Sequence, residues 1–545
     1  MSRRDGPPGG DEAAGARGLG ELIAGLSRPG AYPHAADPVE VVQTHISVVF
    51  LAGERAYKIK KPVDLGFLDF TTLDKRRADC EAEVRLNRRL APAVYLGVEP
   101  VTRTEEGDLR LGGAGEPVEW AVAMERLPAD RTFEALLERG ELEVELLVDL
   151  GRRLAAFHAG ADAGPEIDRW GRFEVVAGNA RENFEQTERF TGATVSEPVW
   201  RRLAELTERE LAARRGLIEE RAAGGVTRDT HGDLHLDHVY SLPGREPPDD
   251  LAVIDCIEFN QRFRHADPVS DAAFLAMDLA FHGRDDLAEA FTEAYFAASG
   301  DRPGRLLTTH YTAYRAVTRG KVESMTLAEE EVPAGQRWRE LQRARAHFLL
   351  ALRLLAPPAE RPCLALAAGP PASGKSRLAE GLAGAAGFTV LASDAVRKEL
   401  AGIGPDASAR APVDRGIYTP ERTERTYAVC RERAERHLFE GGRVVVDATF
   451  WREAERRSFL DAARAWCVPA RVFLCEATDG EARRRLADRR GGLSDATWEV
   501  YQAIAGRFEP PGADTAERVT RLDTAGPPEA TLEAALAALR GDGLL

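Results

Sequence analysis

Gly369-Pro370-Pro371-Ala372-Ser373-Gly374-Lys375-Ser376 has the spacing G-x-x-x-x-G-K-[ST]. In such a run the glycines let backbone N–H groups turn inward on a phosphate, the lysine reaches the β and γ oxygens, and the terminal hydroxyl ligates a divalent ion. The flanks agree with this reading. Cys363 to Ala368 is a short apolar run with the character of a buried strand, and Ser376 to Leu382 opens a helix whose N-terminus faces the anion. The stretch predicts strand, phosphate loop and helix, the opening unit of a parallel α/β sheet, with a nucleoside triphosphate as ligand.

The segments downstream extend that unit. Strand-like runs at Phe388 to Leu391, Arg443 to Val446 and Ala470 to Leu474 alternate with helical ones, the βαβ rhythm of a parallel sheet. Asp394 follows the first of these runs directly, where a carboxylate faces a bound nucleotide and can deprotonate an acceptor hydroxyl; Arg397 can hold that acceptor. Asp394 suits a helix N-cap equally well. Asp447 ends a Val-Val-Val strand and suits Mg²⁺ or substrate. Among the arginines at 483–485 and 489–490, Arg485 or Arg489 can reach over a γ-phosphate, the alternative being a solvated face.

At 545 residues the chain is too long for one hydrophobic core, so two or more domains are expected. With 44% hydrophobic and 30% charged residues it has the composition of a soluble globular protein. The net charge of −16 disfavours broad binding to nucleic acid or anionic membranes and favours small polar acceptors. Six scattered cysteines form no C-x-x-C pair, which suits a reducing cytoplasm and indicates neither zinc nor a disulfide framework. Residues 1–30 are expected to be disordered, with neither signal peptide nor anchor, and no stretch is long and apolar enough to span a bilayer.

A proline-rich break at Ala356 to Pro362 sets a boundary between residues 31–356 and 361–545. Before it, Thr44 to Leu51 and Arg55 to Lys61 read as a hairpin, Asp74 to Leu90 as a helix, Val118 to Glu125 as a strand and Leu142 to His158 as a long helix, with helix predominating after Asp267. A second phosphate-type constellation lies here. His231-Gly232-Asp233-Leu234-His235 places an aspartate on a loop, and Val253-Ile254-Asp255-Cys256-Ile257-Glu258 ends a strand with another. The first can accept a hydroxyl proton and the second can hold Mg²⁺.

With Asp267 to Ala272, these motifs make residues 40 to 355 similar to the aminoglycoside phosphotransferase-like family, relatives of protein kinases. The resemblance implies a small lobe at about 40–127 and a helical lobe at about 128–356. It implies Asp233 as catalytic base, Asp255 as metal ligand with Glu258 assisting, and Asp271 as a brace of the catalytic loop. It also implies a strand lysine, Lys58 or Lys60 with Lys58 favoured, paired to Glu83 with Glu81 in reserve, and Met124 at the hinge beside adenine. Two departures stand out. No G-x-G-x-x-G loop precedes Lys58, and His238 stands where the family has a metal-binding asparagine. Imidazole ligates Mg²⁺ poorly and Mn²⁺ or Zn²⁺ better. Either a second ion is lost, or Asp237 replaces the ligand, or His238 shifts the metal preference. Residues 361 to 540 resemble P-loop kinases of the group containing polynucleotide kinase, gluconate kinase, chloramphenicol phosphotransferase and zeta toxin. This implies Asp394 as base and Gly369, Ser373, Gly374, Lys375 and Ser376 around phosphate and metal.

The expected architecture is an α+β two-lobed kinase-like domain followed by an α/β P-loop domain with a parallel sheet. The expected activity is ATP-dependent transfer of the γ-phosphate to hydroxyls of small molecules at two sites, with Mg²⁺, or Mn²⁺ at the first. Three rivals stay open: a first domain that only senses ligand and regulates the second, a second domain that only hydrolyses ATP, and phosphorylation of nucleic-acid 5′-hydroxyl ends by residues 361 to 545.

Overall fold

A computed structural model describes residues 10–66, 68–328, 332–404, 407, 412, 414–488 and 496–545. By packing, the chain forms two compact units: Met1–Val176 with Arg215–Leu279 and Asp285–Thr308, and Ala177–Arg214 with Ala280–Arg284 and Thr309–Leu545.

The first unit opens with an antiparallel sheet of six strands in the spatial order Val39–Gln43, Ser47–Ala52, Arg55–Lys60, Pro117–Glu125, Tyr95–Arg103, Leu109–Leu111. The expected hairpin is present, turning at Gly53 and Glu54, and Val49 pairs with Lys58, which in turn pairs with Val122. Side chains alternate between the two faces of a strand. Tyr57 and Ile59 therefore enter one core with Val48, Phe50 and Val101, while Ala56, Lys58 and Lys60 face the helix Leu73–Asn87. Thr72 caps that helix by accepting from the Lys75 N–H at 3.3 Å, and Asp79, Cys80, Glu83, Val84 and Asn87 form its buried face.

The amino-terminal expectation is corrected from residue 10 onward: Gly10–Leu26 is a helix, and Leu19, Leu22, Ile23 and fully buried Leu26 pack into the core of the six-stranded sheet. Residues 1–9 lie outside the described residues. In the helical part of this unit, Val144–Gly160 packs on Asp285–Ser299, with Gly151 close against the backbone of Phe291 and Tyr295 and His158 Nδ1 3.0 Å from the Tyr295 hydroxyl.

The second unit contains a parallel five-stranded sheet in the order Thr389–Ala392, Arg443–Asp447, Cys363–Ala368, Ala470–Glu476, Val519–Asp523. Every residue of Cys363–Ala368 is buried, as a central strand covered on both faces requires. Its two neighbours lie on opposite sides, so the loop leaving it opens at the switch point where ligands bind in such sheets. The helices Lys375–Ala386 and Pro528–Gly541 cover one face around Leu378, Leu382, Ala535 and Leu539. Helices upstream of the proline break belong to the same unit. Trp466 Nε1–H donates to Gln342 Oε1 at 2.7 Å, and the Arg345 guanidinium stacks over Phe439 and Trp466 at 4.8 and 5.8 Å.

Candidate active sites

The first unit gathers its charged groups between the sheet, the helix Leu73–Asn87 and the loops at 229–238 and 254–258. Lys58 Nζ lies 3.0 Å from Glu83 Oε1 and 2.6 Å from Asp255 Oδ1. Lys60 Nζ, fully buried, lies 2.9 Å from Asp79 Oδ2 and 2.6 Å from Glu83 Oε2, and also pairs with Glu258. Glu83 thus serves both lysines, while Glu81 pairs with Arg77 on the surface. Both lysines stay charged, because the surrounding carboxylates outweigh burial. For Glu258 burial wins: with Glu83 and Asp79 nearby it is pushed up to about 8 despite Lys60. Glu258, expected to assist at the metal, pairs with Lys60 here and lies with Asp79 and Glu83 in one carboxylate cluster.

Asp271 holds the loop bearing Asp233. The His231 N–H donates to Asp271 Oδ2 at 2.9 Å and the Gly232 N–H to Oδ1 at 2.8 Å, and His158 Nε2 lies 3.2 Å from Oδ2. Burial opposes ionisation of Asp271, yet these donors hold it down at about 2. Behind the loop, Leu236 N–H donates to Asp278 Oδ2 at 2.8 Å and His231 Nε2 lies 2.9 Å from the Ile254 carbonyl oxygen. His235 sits between two carboxylates, 3.3 Å from Asp233 Oδ2 and paired through Nδ1 with Asp237. Burial pulls His235 down, but the two aspartates overcome it and hold it up at about 10. The strands Val239–Ser241 and Leu251–Val253 form the hairpin that returns the chain to Asp255. Asp255 adopts a left-handed backbone with φ 64°, and its N–H donates to the Tyr95 hydroxyl at 3.1 Å. Its carboxylate lies low in the acidic range: burial opposes this, and the Lys58 ammonium, by its charge and its hydrogen bond, outweighs it.

In the second unit the loop Gly369–Ser376 closes tightly. Gly369 has φ 140°, and a Cβ there would meet the Cys475 carbonyl oxygen at 2.5 Å. Gly374, at φ 95°, caps the helix Lys375–Ala386, whose first-turn N–H groups point beyond its end. Lys375 Nζ donates to the Pro370 carbonyl at 2.8 Å. The Ser373 hydroxyl is buried and has no hydrogen-bond partner among the described residues. An orphaned hydroxyl beside an open helix N-terminus fits a phosphate group. A cavity of about 980 Å³ spreads from this loop, lined by Lys375, Ser376, Asp394, Arg397, Asp447 and Arg485 among others.

These residues have distinct supports. Asp394 is the second residue of the helix Ser393–Leu400, whose N-cap is Ala392, so the capping alternative does not hold. Its Oδ1 lies 4.0 Å from Arg397 Nε, and Arg397 is fixed by Thr423 Oγ1 at 3.1 Å and by stacking on Tyr418 at 4.9 Å. Asp447 ends its strand beside the P-loop strand and shares the cavity with Ser376, an arrangement that fits a divalent ion. Arg485 donates to the Ala372 carbonyl at 3.1 Å and to Thr524 Oγ1 at 3.3 Å, and so is anchored to the loop itself. Arg489 lies outside the described residues.

A profile of the Phosphotransferase enzyme family matches residues 67–307, and a profile of an AAA domain family matches residues 364–511. The chain is 35% identical over 502 residues to the uncharacterized protein Rv2004c of Mycobacterium tuberculosis (strain ATCC 25618 / H37Rv), covering 92% of this chain and 95% of that one. The uncharacterized protein Mb2027c of Mycobacterium bovis matches to the same extent. The chain belongs to their family. As a member it joins an aminoglycoside phosphotransferase-like domain to a P-loop kinase-type domain, as the two sets of motifs imply. Among solved structures, a gluconokinase from Sinorhizobium meliloti 1021 is similar at 19% identity and TM-score 0.26, covering 33% of this chain and 93% of that one. Aminoglycoside 2′-phosphotransferase-IIIa is similar at 15% identity and TM-score 0.38, covering 60% of this chain and 98% of that one. At these scores neither likeness bears on the substrate.

The structure brings Lys58, Lys60, Glu83, Asp255, His238 and Asp233 into one connected group. Met124, buried near the end of its strand, packs with Ala56, Leu242 and Ala252 in the apolar cluster beside that group. Some residues of this family member's sites escaped sequence reasoning. Asp79 lies one turn before Glu83 on the same helix face, a spacing that could have found it. Tyr95 and Thr524 gave no such signal. Thr524 Oγ1 donates to the Ser373 carbonyl at 2.7 Å from beyond the last strand, far from the loop in sequence.

Proposed function

We propose that this protein is an ATP-dependent phosphotransferase with two kinase sites, each moving the γ-phosphate to a hydroxyl of a small-molecule acceptor. The observation that carries the reading is the convergence of Lys375, Ser376, Asp394, Asp447 and Arg485 on one cavity at the open end of a helix. There Asp394 takes the acceptor proton, Arg397 orients the acceptor, and Lys375 with the loop N–H groups holds the β and γ oxygens. Ser376 and Asp447 would hold Mg²⁺, which when bound neutralises charge on the transferred group. At the first site Asp233 is the base, Lys58 meets the phosphates, and Asp255 would hold the ion. Lys58 is the better candidate for phosphate than Lys60, since Lys60 is enclosed by three carboxylates.

The net charge of −16 supports small acceptors over nucleic acid, though the second site still allows 5′-hydroxyl ends. All six cysteines are thiols, which supports a cytoplasmic location. Among the described residues no helix is long and apolar enough to cross a membrane.

The test is full-length protein incubated with γ-labelled ATP and a metabolite extract, then repeated with Asp233→Ala and with Lys375→Ala. Each variant is expected to lose its own product by on the order of a hundredfold or more while retaining the other. Products that all survive Asp233→Ala would make the first domain a ligand sensor. Phosphate release without any labelled acceptor would reduce the second to an ATPase.

A further inference from the structure

The His238 ring has a fixed orientation. Its Nδ1 lies 3.0 Å from the backbone carbonyl oxygen of Asp233, which can only accept, so Nδ1 carries the proton and donates. In the neutral ring Nε2 then presents a lone pair. It faces Asp255 Oδ2 at 3.6 Å, beyond hydrogen-bond reach. Two lone-pair atoms at that separation repel one another unless a proton on Nε2 or a metal cation lies between them, and bound Mn²⁺ coupled to the imidazole distinguishes the second case from the first. Two donors each about 2.1–2.2 Å from one ion, at an angle between a right angle and a tetrahedral one, stand roughly 3.0–3.6 Å apart.

The surroundings hold this pair in place. Asp255 Oδ1 is engaged by Lys58 at 2.6 Å, which leaves Oδ2 toward His238. The Asp255 backbone is pinned through Tyr95, and His235 stacks on the His238 ring with centroids 3.9 Å apart. A ring N–H donated to a main-chain carbonyl is the support that metal-bound histidines carry. Asp237, the other available replacement for the family's asparagine, is paired with His235.

We infer that His238 Nε2 and Asp255 Oδ2 together ligate one divalent ion at the first site, and that the imidazole gives this site a preference for Mn²⁺ over Mg²⁺. The inference rests on the proposed reading of Asp255 as a metal ligand. Its test observes the ion, so a failure of phosphate transfer and a failure of this assignment are told apart.

Full-length protein without nucleotide is loaded with Mn²⁺ and examined by electron spin echo envelope modulation for ¹⁴N coupling from a bound imidazole. Among the described residues no histidine lines the cavity of the second site, so such coupling reports the first. The expected result is imidazole coupling in the wild type and in His235→Asn, and its loss in His238→Asn. Mn²⁺ affinity by titration calorimetry should fall by about tenfold or more in His238→Asn, with Mg²⁺ affinity changed far less. His238→Gln, with folding checked by circular dichroism, guards against a collapsed loop. Absence of bound Mn²⁺ or of coupling in the wild type, or coupling that persists in both His238 variants, would overturn the inference. Loss of coupling in His235→Asn would overturn it in favour of the neighbouring triad Asp233, His235 and His238, whose donor atoms also lie within 4.8 Å of one another.

Discussion

Asp271 shows how one buried carboxylate sets a loop, because it accepts two successive backbone N–H groups and a histidine at the same time. Asp271→Ala leaves those donors buried without a partner. It is expected to cost about 3 kcal/mol in urea unfolding and to abolish first-site labelling while second-site labelling persists. A different pH signature belongs to His310 in the second unit. Burial, reinforced by Arg214, lowers it to about 4, and its Nε2 has no hydrogen-bond partner among the described residues. The folded state therefore resists protonation where the unfolded chain, near 6.5, accepts it. This contribution is complete above pH 6.5 and is lost as pH falls toward 4. From pH 7.5 to 5 it amounts to about 2 kcal/mol, and His310→Phe should flatten that part of a urea-unfolding series across pH.

Elements differ in how well their residues announced them. Cys363–Ala368 was legible because a strand buried on both faces is an unbroken apolar run, and Arg443–Asp447 for the same reason. The strand Tyr95–Arg103 escaped because Gly97, Glu99 and Pro100 interrupt the alternation and much of it is half-buried. Val519–Asp523 closes the sheet at its edge with Leu522 its only buried residue, so it carries almost no pattern. The helix Gly10–Leu26 was hidden by its glycines and alanines, although Leu19, Leu22, Ile23 and Leu26 keep helical spacing. At the sites, motif residues were legible because their chemistry fixes their type. Supporting residues such as Tyr95 were not, since a hydroxyl on a strand can serve many ends. The phosphate loop gives a prediction on this scale. Gly369→Ala would push a Cβ against the Cys475 carbonyl. It should destabilise the loop by about 2 kcal/mol and weaken nucleotide binding in a calorimetric titration, leaving the first site unaffected.

For the molecule as a whole, the proline break at 356–362 does not end the packing of the second unit. Helical residues on its amino-terminal side reach the P-loop sheet's outer helices through Gln342, Arg345 and Leu352, the last lying beside Gly441. A fragment of residues 361–545 is therefore expected to expose Phe439 and Trp466, to bind a hydrophobic dye and to melt below the second transition of the full chain. An identical melt would refute this. Thr524 carries a further consequence, one of time. It grips the Ser373 carbonyl and receives Arg485, so the loop at Gly369–Ser376 is complete only when a residue far downstream is in place. Translation at roughly 5–20 residues per second puts about seven to thirty seconds between synthesis of the loop and synthesis of its clasp. Through that interval the nascent chain carries the phosphate-binding sequence without its clasp, and nucleotide capture at this site is expected to begin only once Thr524 has been made.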